Sequence, residues 1–329
     1  MIAKTRPKAL SRALLGAGFA LWLPAVGAAL ELGLPVDCVL GQSCYIQQYF
    51  DHAAGPDWAD FTCGTLSYDG HDGTDFAVPT RADMVAGVPV IAVAAGTIKG
   101  IRDGIEDFAP QVAGKECGNG VVIDHGAGWE SQYCHLRMGS VRVQVGQTVD
   151  AGTPLGLIGQ SGMAEFPHVH LALRKDGIAI DPFAPSAAQA CQSAAAPSAR
   201  DDLWQPMIPY AAGGIIGAGF AIDIPSFNTI KAGLSSPSTL PPDSSALAMW
   251  VYMFGARQGD VVMIDIAGPK GPVLQESVTL GKTQALVFRA AGRKAAAQGW
   301  PIGTYSGTAS LIRHGRTLDR RKIDLVIAP

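Results

Sequence analysis

The stretch GVVIDHGAGWESQYCH, residues 120–135, decides the fold. Gly120 to Asp124 and Trp129 to His135 are two short runs rich in β-branched and aromatic residues. They flank His125-Gly126-Ala127-Gly128, a glycine-bearing turn, and the pattern predicts an antiparallel hairpin. Working outward, Val88 to Ala94 and Gly96 to Ile101 read as strands joined at Ala95-Gly96. Val141 to Val145, Pro154 to Ile158 and Val169 to Leu173 extend the set. Turn residues between every pair predict an antiparallel, all-β domain over residues 67–183. Residues 29–66 carry three cysteines and little apolar periodicity, and read as a disulfide-tied extension.

Beyond this region the composition changes. Residues 184–211 are dominated at first by Ala, Ser, Pro and Gln and read as a linker. Residues 212–329 are β-patterned again, with candidate strands at 218–224, 246–254, 260–266, 273–280, 284–290, 304–312 and 322–328. Seven short strands punctuated by Gly, Pro and Asp predict an immunoglobulin-like β-sandwich, here without any cysteine. The sandwich shows no chemistry of its own: its single histidine, His314, sits in a basic turn. The cluster Arg313, Arg316, Arg320, Arg321 and Lys322 reads as a solvated strand edge protected by charge.

The amino terminus reads as a targeting signal and is set aside from the fold. Lys4, Arg6, Lys8 and Arg12 precede an apolar run from Ala13 to Ala25, and Val26-Gly27-Ala28 supplies small residues for cleavage. Residues 1–28 are therefore a predicted secretory signal peptide, and the run is shorter than the roughly 20 apolar residues that span a bilayer. Cleavage leaves 21 Lys and Arg against 28 Asp and Glu, a net charge of −7. An acidic protein of this kind is a poor candidate for nucleic acid or anionic lipid, and its contact with a membrane is confined to the signal peptide before cleavage. Six cysteines behind a signal peptide suggest disulfides and a periplasmic or secreted address. Six cysteines allow 15 connectivities, and the flanking of the hairpin favours Cys117 with Cys134.

The chemistry lies in histidines gathered in three stretches. Gly70-His71-Asp72-Gly73-Thr74-Asp75 places His and Asp at i and i+4, and Gly73 between them favours an extended or turning backbone. Pro167-His168-Val169-His170-Leu171 places two imidazoles at i and i+2, on one face of a strand. Gln132-Tyr133-Cys134-His135-Leu136, the third stretch, ends the hairpin with a fourth imidazole, His135. Singly these signals are weak. Together they supply nitrogen and oxygen ligands of the types Zn²⁺ accepts, with imidazoles to spare. A catalytic zinc keeps three protein ligands and one open position, and lowers the pKa of water there to about 7. Neighbouring imidazoles can move protons and stabilise an oxyanion.

The ordered set HxGxD, YCHL and HVHL resembles the LytM/lysostaphin-type zinc metallopeptidases of the M23 family. The glycine framework adds to the likeness: Gly87-Val88-Pro89-Val90-Ile91-Ala92, Gly96-Thr97-Ile98, Gly146-Gln147-Thr148-Val149 and Gly156-Leu157-Ile158-Gly159-Gln160-Ser161-Gly162, closed by Asp181-Pro182. The resemblance implies a lysostaphin-type antiparallel sheet over residues 67–183. It implies His71, Asp75 and His170 as ligands of Zn²⁺, and His168 and His135 as catalytic histidines that do not bind the metal. The departures are Val169 within the HxH pair and a long acidic loop from Arg102 to Glu116, which bears on groove shape. The remaining histidines, His52 and His125, read as structural, and Asp69 and Asp72 as turn residues able to tune the site.

The implied activity is a secreted endopeptidase cutting peptide bonds in cell-wall peptidoglycan. The competing readings are a non-catalytic regulator of other wall hydrolases and a secreted peptidase acting on proteins. A serine hydrolase is unsupported, since Gly159-Gln160-Ser161-Gly162-Met163 lacks the second glycine of GxSxG.

Overall fold

A computed structural model describes residues 1–3, 30–186, 191, 202–233 and 236–329. The predicted signal peptide beyond residue 3, and the predicted linker at 187–190 and 192–201, lie outside the described residues. Residues Glu31–Pro329 form one packed unit. No helix among the described residues is long and apolar enough to cross a membrane.

The chain runs through β1 (Tyr45–Gln48), β2 (Thr74–Ala77), α1 (Arg81–Ala86), β3 (Pro89–Ile91), β4 (Gly96–Arg102), β5 (Asn119–Gly126) and β6 (Trp129–Leu136). It continues with β7 (Thr148–Val149), β8 (Pro154–Leu157), β9 (His168–Lys175) and β10 (Ile178–Ile180). The last part contains β11 (Gly214–Ala221), α2 (Phe227–Ala232), β12 (Thr239–Leu240), β13 (Ala246–Ala256), β14 (Val261–Gly268), β15 (Gly271–Thr279), β16 (Gln284–Lys294), β17 (Gly303–Arg313) and β18 (Arg316–Ile327).

The predicted hairpin forms as β5 and β6, pinned at its open end by the predicted Cys117–Cys134 disulfide. It sits inside an antiparallel sheet of order β1-β2-β9-β6-β5-β4-β7, with β10 folded back on β9. All-β architecture is thus as expected, but two local readings change. Residues 141–145, predicted as a strand, form none. Their alternation is satisfied by burying Val143, while the backbone makes a tight turn in which Gln144 N donates to the Gln147 side chain. The neighbouring strands β3 and β4 belong to different sheets, because β3 pairs with β8 and β4 with β5 and β7.

Residues 29–66 do more than precede the sheet. Strand β1 pairs along the edge of β2, and disulfides Cys38–Cys44 and Cys63–Cys191 tie its flanks. This covers an edge that would otherwise present unpaired backbone groups. Trp204 is buried against Phe76 and Phe183 at ring distances of 5.7 and 5.4 Å.

Downstream, a sheet β11-β13-β16 packs on a sheet β12-β18-β17-β14-β15 around one apolar core. The pairing is antiparallel except for β12 with β18. Two stacked sheets make a sandwich consistent with the immunoglobulin-like expectation. All seven predicted strands are present, with boundaries shifted by a few residues. Strand β13 explains how this layer meets the rest. Its residues alternate between faces, and Leu247, Met249, Val251 and Met253 fill the sandwich core. The opposite face is buried too: Phe254 lies 4.8 Å from the Tyr45 ring of β1, and Tyr252 meets Phe227 edge-on at 5.7 Å. A strand covered on both faces needs no polar residues, which is why ALAMWVYMF is apolar throughout.

The basic cluster is not uniformly solvated. Arg313 is buried and makes a two-point pair with Asp260, Nε at 2.9 Å and Nη2 at 2.8 Å, and also donates to the carbonyls of Ala212 and Gly255. Burial opposes the Asp260 charge, but the guanidinium outweighs it and holds the carboxyl below its usual range. His314, in the β17–β18 turn, is exposed as expected.

Candidate metal centre

Strand register assembles the site. In the β2–β9 ladder Asp75 lies opposite His170 and Ala77 opposite His168, and in the β6–β9 ladder Cys134 lies opposite His170. Residues directly opposite across an antiparallel pair share a face, so Asp75 and His170 point the same way, and His168 follows by the period of two. His71 enters from the turn before β2. That turn passes so close to β9 that a Cβ on Gly73 would lie 2.5 Å from the Leu171 carbonyl oxygen and 2.7 Å from the His170 ring. Glycine at this position is what lets the first motif dock on the third.

His135 needs a different device. As the residue after Cys134 it would leave a regular strand on the opposite face. Its backbone is instead left-handed, with φ 65°, a conformation rare outside glycine and enriched at functional sites. The side chain turns back so that its ring lies 4.7 Å from His168 and 6.0 Å from His170.

All five histidine and aspartate side chains singled out in the sequence are buried here. His71 Nε2, Asp75 Oδ1 and His170 Nδ1 approach one another at 3.1, 3.1 and 2.9 Å. His71, Asp75 and His170 form a buried group able to hold a metal ion. A small ion bound at about 2.0–2.1 Å separates tetrahedral ligands by about 3.3 Å, so the three atoms fit such an ion. Hydrogen bonds fix which nitrogen each imidazole offers. His71 Nδ1 donates to the Tyr49 carbonyl at 2.6 Å, leaving Nε2 for the centre. His170 faces the centre with Nδ1, while its Nε2 lies 3.2 Å from Asp72 Oδ1. Arg174 in turn holds Asp72 at 3.1 Å and reaches Gln132 at 2.8 Å. An outer carboxylate placed like this on a ligating imidazole orients it and raises its basicity.

The two other imidazoles are held the same way. His135 Nδ1 donates to the Ser161 carbonyl and His168 Nδ1 to the Phe166 carbonyl, each at 2.8 Å. A carbonyl only accepts, so in each neutral ring the Nε2 lone pair is free to take a proton. Burial, followed by repulsion from His168 and His170, pushes His135 down to about 3. His168 is also pushed down, burial outweighing the nearby Asp75. Burial opposes the charged form of His170 as well, but hydrogen bonds to Asp72 and Asp75 overcome it and push that imidazole up to about 9. Burial likewise opposes ionisation of Asp75, yet the surrounding imidazoles, His71 first, hold its carboxyl well below the usual range. Loss of the shared proton would free the same three atoms for a metal ion.

Of the residues marked as structural, His52 is buried against Asp181 at 2.7 Å and His125 bridges the Ala95 carbonyl and Ser131. The roles of Tyr49, Ser161 and Phe166 escaped the sequence reading because they act through backbone carbonyls, which carry no residue-type signal. Arg174 and Gln132 were detectable only as polar positions on strands. Removing the outer carboxylate, in Asp72→Ala, is expected to weaken metal binding by about 10–100-fold without unfolding the chain. Competition against a chromophoric chelator measures this, and unchanged affinity would dismiss the Asp72 role.

Residues 69–182, about a third of the chain, match the model of peptidase family M23. An uncharacterized metalloprotease of Haemophilus influenzae is 35% identical over 113 residues, 34% of this chain and 20% of that protein. Peptidoglycan DD-endopeptidase ShyA of Vibrio cholerae is 35% identical over 103 residues, 31% of this chain and 20% of the relative. Murein hydrolase activator EnvC of Escherichia coli is 37% identical over 94 residues, 28% of this chain and 22% of the relative. The matched part thus spans about a fifth of these relatives.

Proposed function

We propose, on the premise that this chain carries a peptidase family M23 domain over residues 69–182, that it is a zinc endopeptidase hydrolysing peptide bonds in bacterial peptidoglycan. One observation carries the reading. Three acceptor atoms within 3.1 Å of each other adjoin two imidazoles whose Nδ1 protons are committed to carbonyls. The donor set of two imidazole nitrogens and one carboxylate oxygen suits zinc and leaves a fourth position open. His71, Asp75 and His170 would hold the ion. Bound zinc supplies Lewis acidity, polarising a carbonyl and acidifying water to about pKa 7.

The chain's own groups do the rest. His135 and His168 present Nε2 lone pairs beside the ligands. With Nδ1 committed to a carbonyl, each is placed to accept a proton at Nε2 from an attacking water and return it to the leaving amine. Once protonated, either imidazole stabilises negative charge on the oxygen of the tetrahedral intermediate. Burial of both rings keeps that interaction away from bulk water.

The peptidoglycan substrate is supported by ShyA, whose name records that activity. The disulfides fit a periplasmic or secreted protein. The relative EnvC, named as an activator, favours a second reading, a regulator of other hydrolases. The complete set of five side chains speaks for catalysis.

The deciding experiment incubates the zinc-loaded protein with purified sacculi, and separately with a glycine-rich protein, followed by mass spectrometry. New peptide termini in sacculi are expected. Intact sacculi, with faster turnover only when a separate wall hydrolase is added, would establish the regulator instead. Cleavage of the protein alone would redirect the substrate.

A further inference from the structure

The face that carries Asp75 and His168 borders a groove of about 630 Å³ with two walls from distant parts of the chain. On the peptidase side the groove is lined by Asp75, His168, Tyr68, Phe166 and Glu165. On the other side it is lined by the sandwich: Phe227 and Lys231 of α2, and Gln284, Ala285 and Leu286 at the start of β16. Asp75 and His168 belong to the site described above, so the sandwich wall is continuous with the place where a scissile bond would lie.

The sandwich wall is fixed in position. Gln47 of β1 donates through Nε2 to the Ala285 carbonyl at 3.0 Å, linking the peptidase edge to β16. Phe227 stacks on Phe288 of β16 at 5.4 Å and meets Tyr252 of β13 edge-on. Helix α2 is capped at its start by Ser226, whose Oγ accepts from Thr229 N, and at its end by left-handed Gly233. A Cβ on Gly233 would lie 2.5 Å from Ala82 of α1, so the helix is seated directly against the peptidase region. Lys231 lies with its ammonium 4.8 Å from the Phe227 ring centroid, a cation–π contact that holds a long side chain in place.

Lys231 is the only Lys or Arg among the described residues lining this groove. Besides Asp75, the one acidic side chain among the described lining residues is Glu165, on the peptidase wall. Glu165 and Lys231 also line one small pocket at the end of the groove, so a peptide reaching that end meets both charges close together. The rest of the lining is largely aromatic, amide-bearing or aliphatic, through residues such as Phe166, Phe227, Gln48, Gln284, Met163 and Leu286, the mix of apolar walls with a few polar groups usual for a ligand cleft.

We propose that the sandwich is part of the substrate site. Its α2–β16 edge forms the second wall of the cleft, and Lys231 selects peptides that carry a carboxylate towards that wall. The proposal rests on the peptidase reading for the nature of the ligand, but not for the charge preference, which binding alone reveals. Lys231 is a specificity residue and takes no part in bond cleavage.

The test uses the full chain and two probes: a cross-linked stem peptide with its branch carboxylates free, and the same peptide with them amidated. Lys231→Met keeps the aliphatic stem over Phe227 and removes the charge; Lys231→Arg keeps the charge. Calorimetric binding and cleavage are measured for each. The parent is expected to bind the acidic peptide about fivefold more tightly than the amidated one, as suits a partly exposed charge pair. In cleavage the preference should appear in KM. Lys231→Met should abolish it and Lys231→Arg should restore it. If the parent shows no preference, or the Met variant retains it, the inference is overturned. Charge-selective binding without cleavage of either probe would sustain the groove and sink the peptidase reading.

Discussion

His170→Ala is expected to lose bound zinc and peptide hydrolysis together. His170 is the hub of the centre: its Nδ1 lies 2.9 Å from Asp75 Oδ1 and 3.1 Å from His71 Nε2, and its Nε2 lies 3.2 Å from Asp72. Without the imidazole, two ligands remain, and the carboxylates of Asp72 and Asp75 lose the group that separates them. The fall in zinc affinity should exceed the about 10–100-fold that loss of an outer partner costs. Zinc per chain after dialysis, read by atomic emission, should drop from stoichiometric to trace, and release of peptides from sacculi should fall to background. His170→Gln, which retains a polar group in β9, guards against a folding defect. If either variant stays fully loaded while folded, as judged by circular dichroism, His170 is not a ligand.

His135→Ala separates the two functions. It should retain zinc and lose about 10²–10⁴-fold in kcat, the usual contribution of a positioned general acid or base. His135 stands beside the three acceptor atoms but is not one of them. Its ring is anchored by the Ser161 carbonyl at 2.8 Å and lies beside the rings of His168 and His170. His135→Asn is the better-behaved companion, because Asn tolerates the left-handed backbone at this position. Zinc loss in both variants would make His135 a ligand, and near-normal kcat with zinc retained would remove it from the proton pathway.

These two outcomes also mark what was legible in advance. The residue types were enough to find the site. His71 with Asp75, the His168–His170 pair and His135 stand in short motifs, and strand periodicity alone places His168 and His170 on one face. The hairpin at 120–135 was equally plain, because a glycine turn between two β-rich runs is a local signal. The reading of 141–145 failed for the complementary reason. VRVQV alternates correctly, but a strand needs a ladder partner, and alternation does not reveal whether one is available. Arg313 was misplaced in the same way: only the folded chain brings Asp260, 53 positions away, within 2.9 Å.

The left-handed turn at His135, the choice of Nε2 at His71 but Nδ1 at His170, and the outer chain Asp72–Arg174–Gln132 belong to the tertiary structure. Each depends on where a carbonyl or carboxylate lies after the sheet has closed. The sandwich wall of the groove is the extreme case, since nothing in the sequence of α2 or β16 points to the peptidase site. By itself the sequence determined the inventory of donors, the β periodicity and the order of the motifs, because these are properties of residue type and near-neighbour spacing. Tertiary structure alone decided which atoms face the centre and which surface closes the cleft. Those distances are set by strand register and packing between segments far apart in the sequence, and no local pattern encodes them.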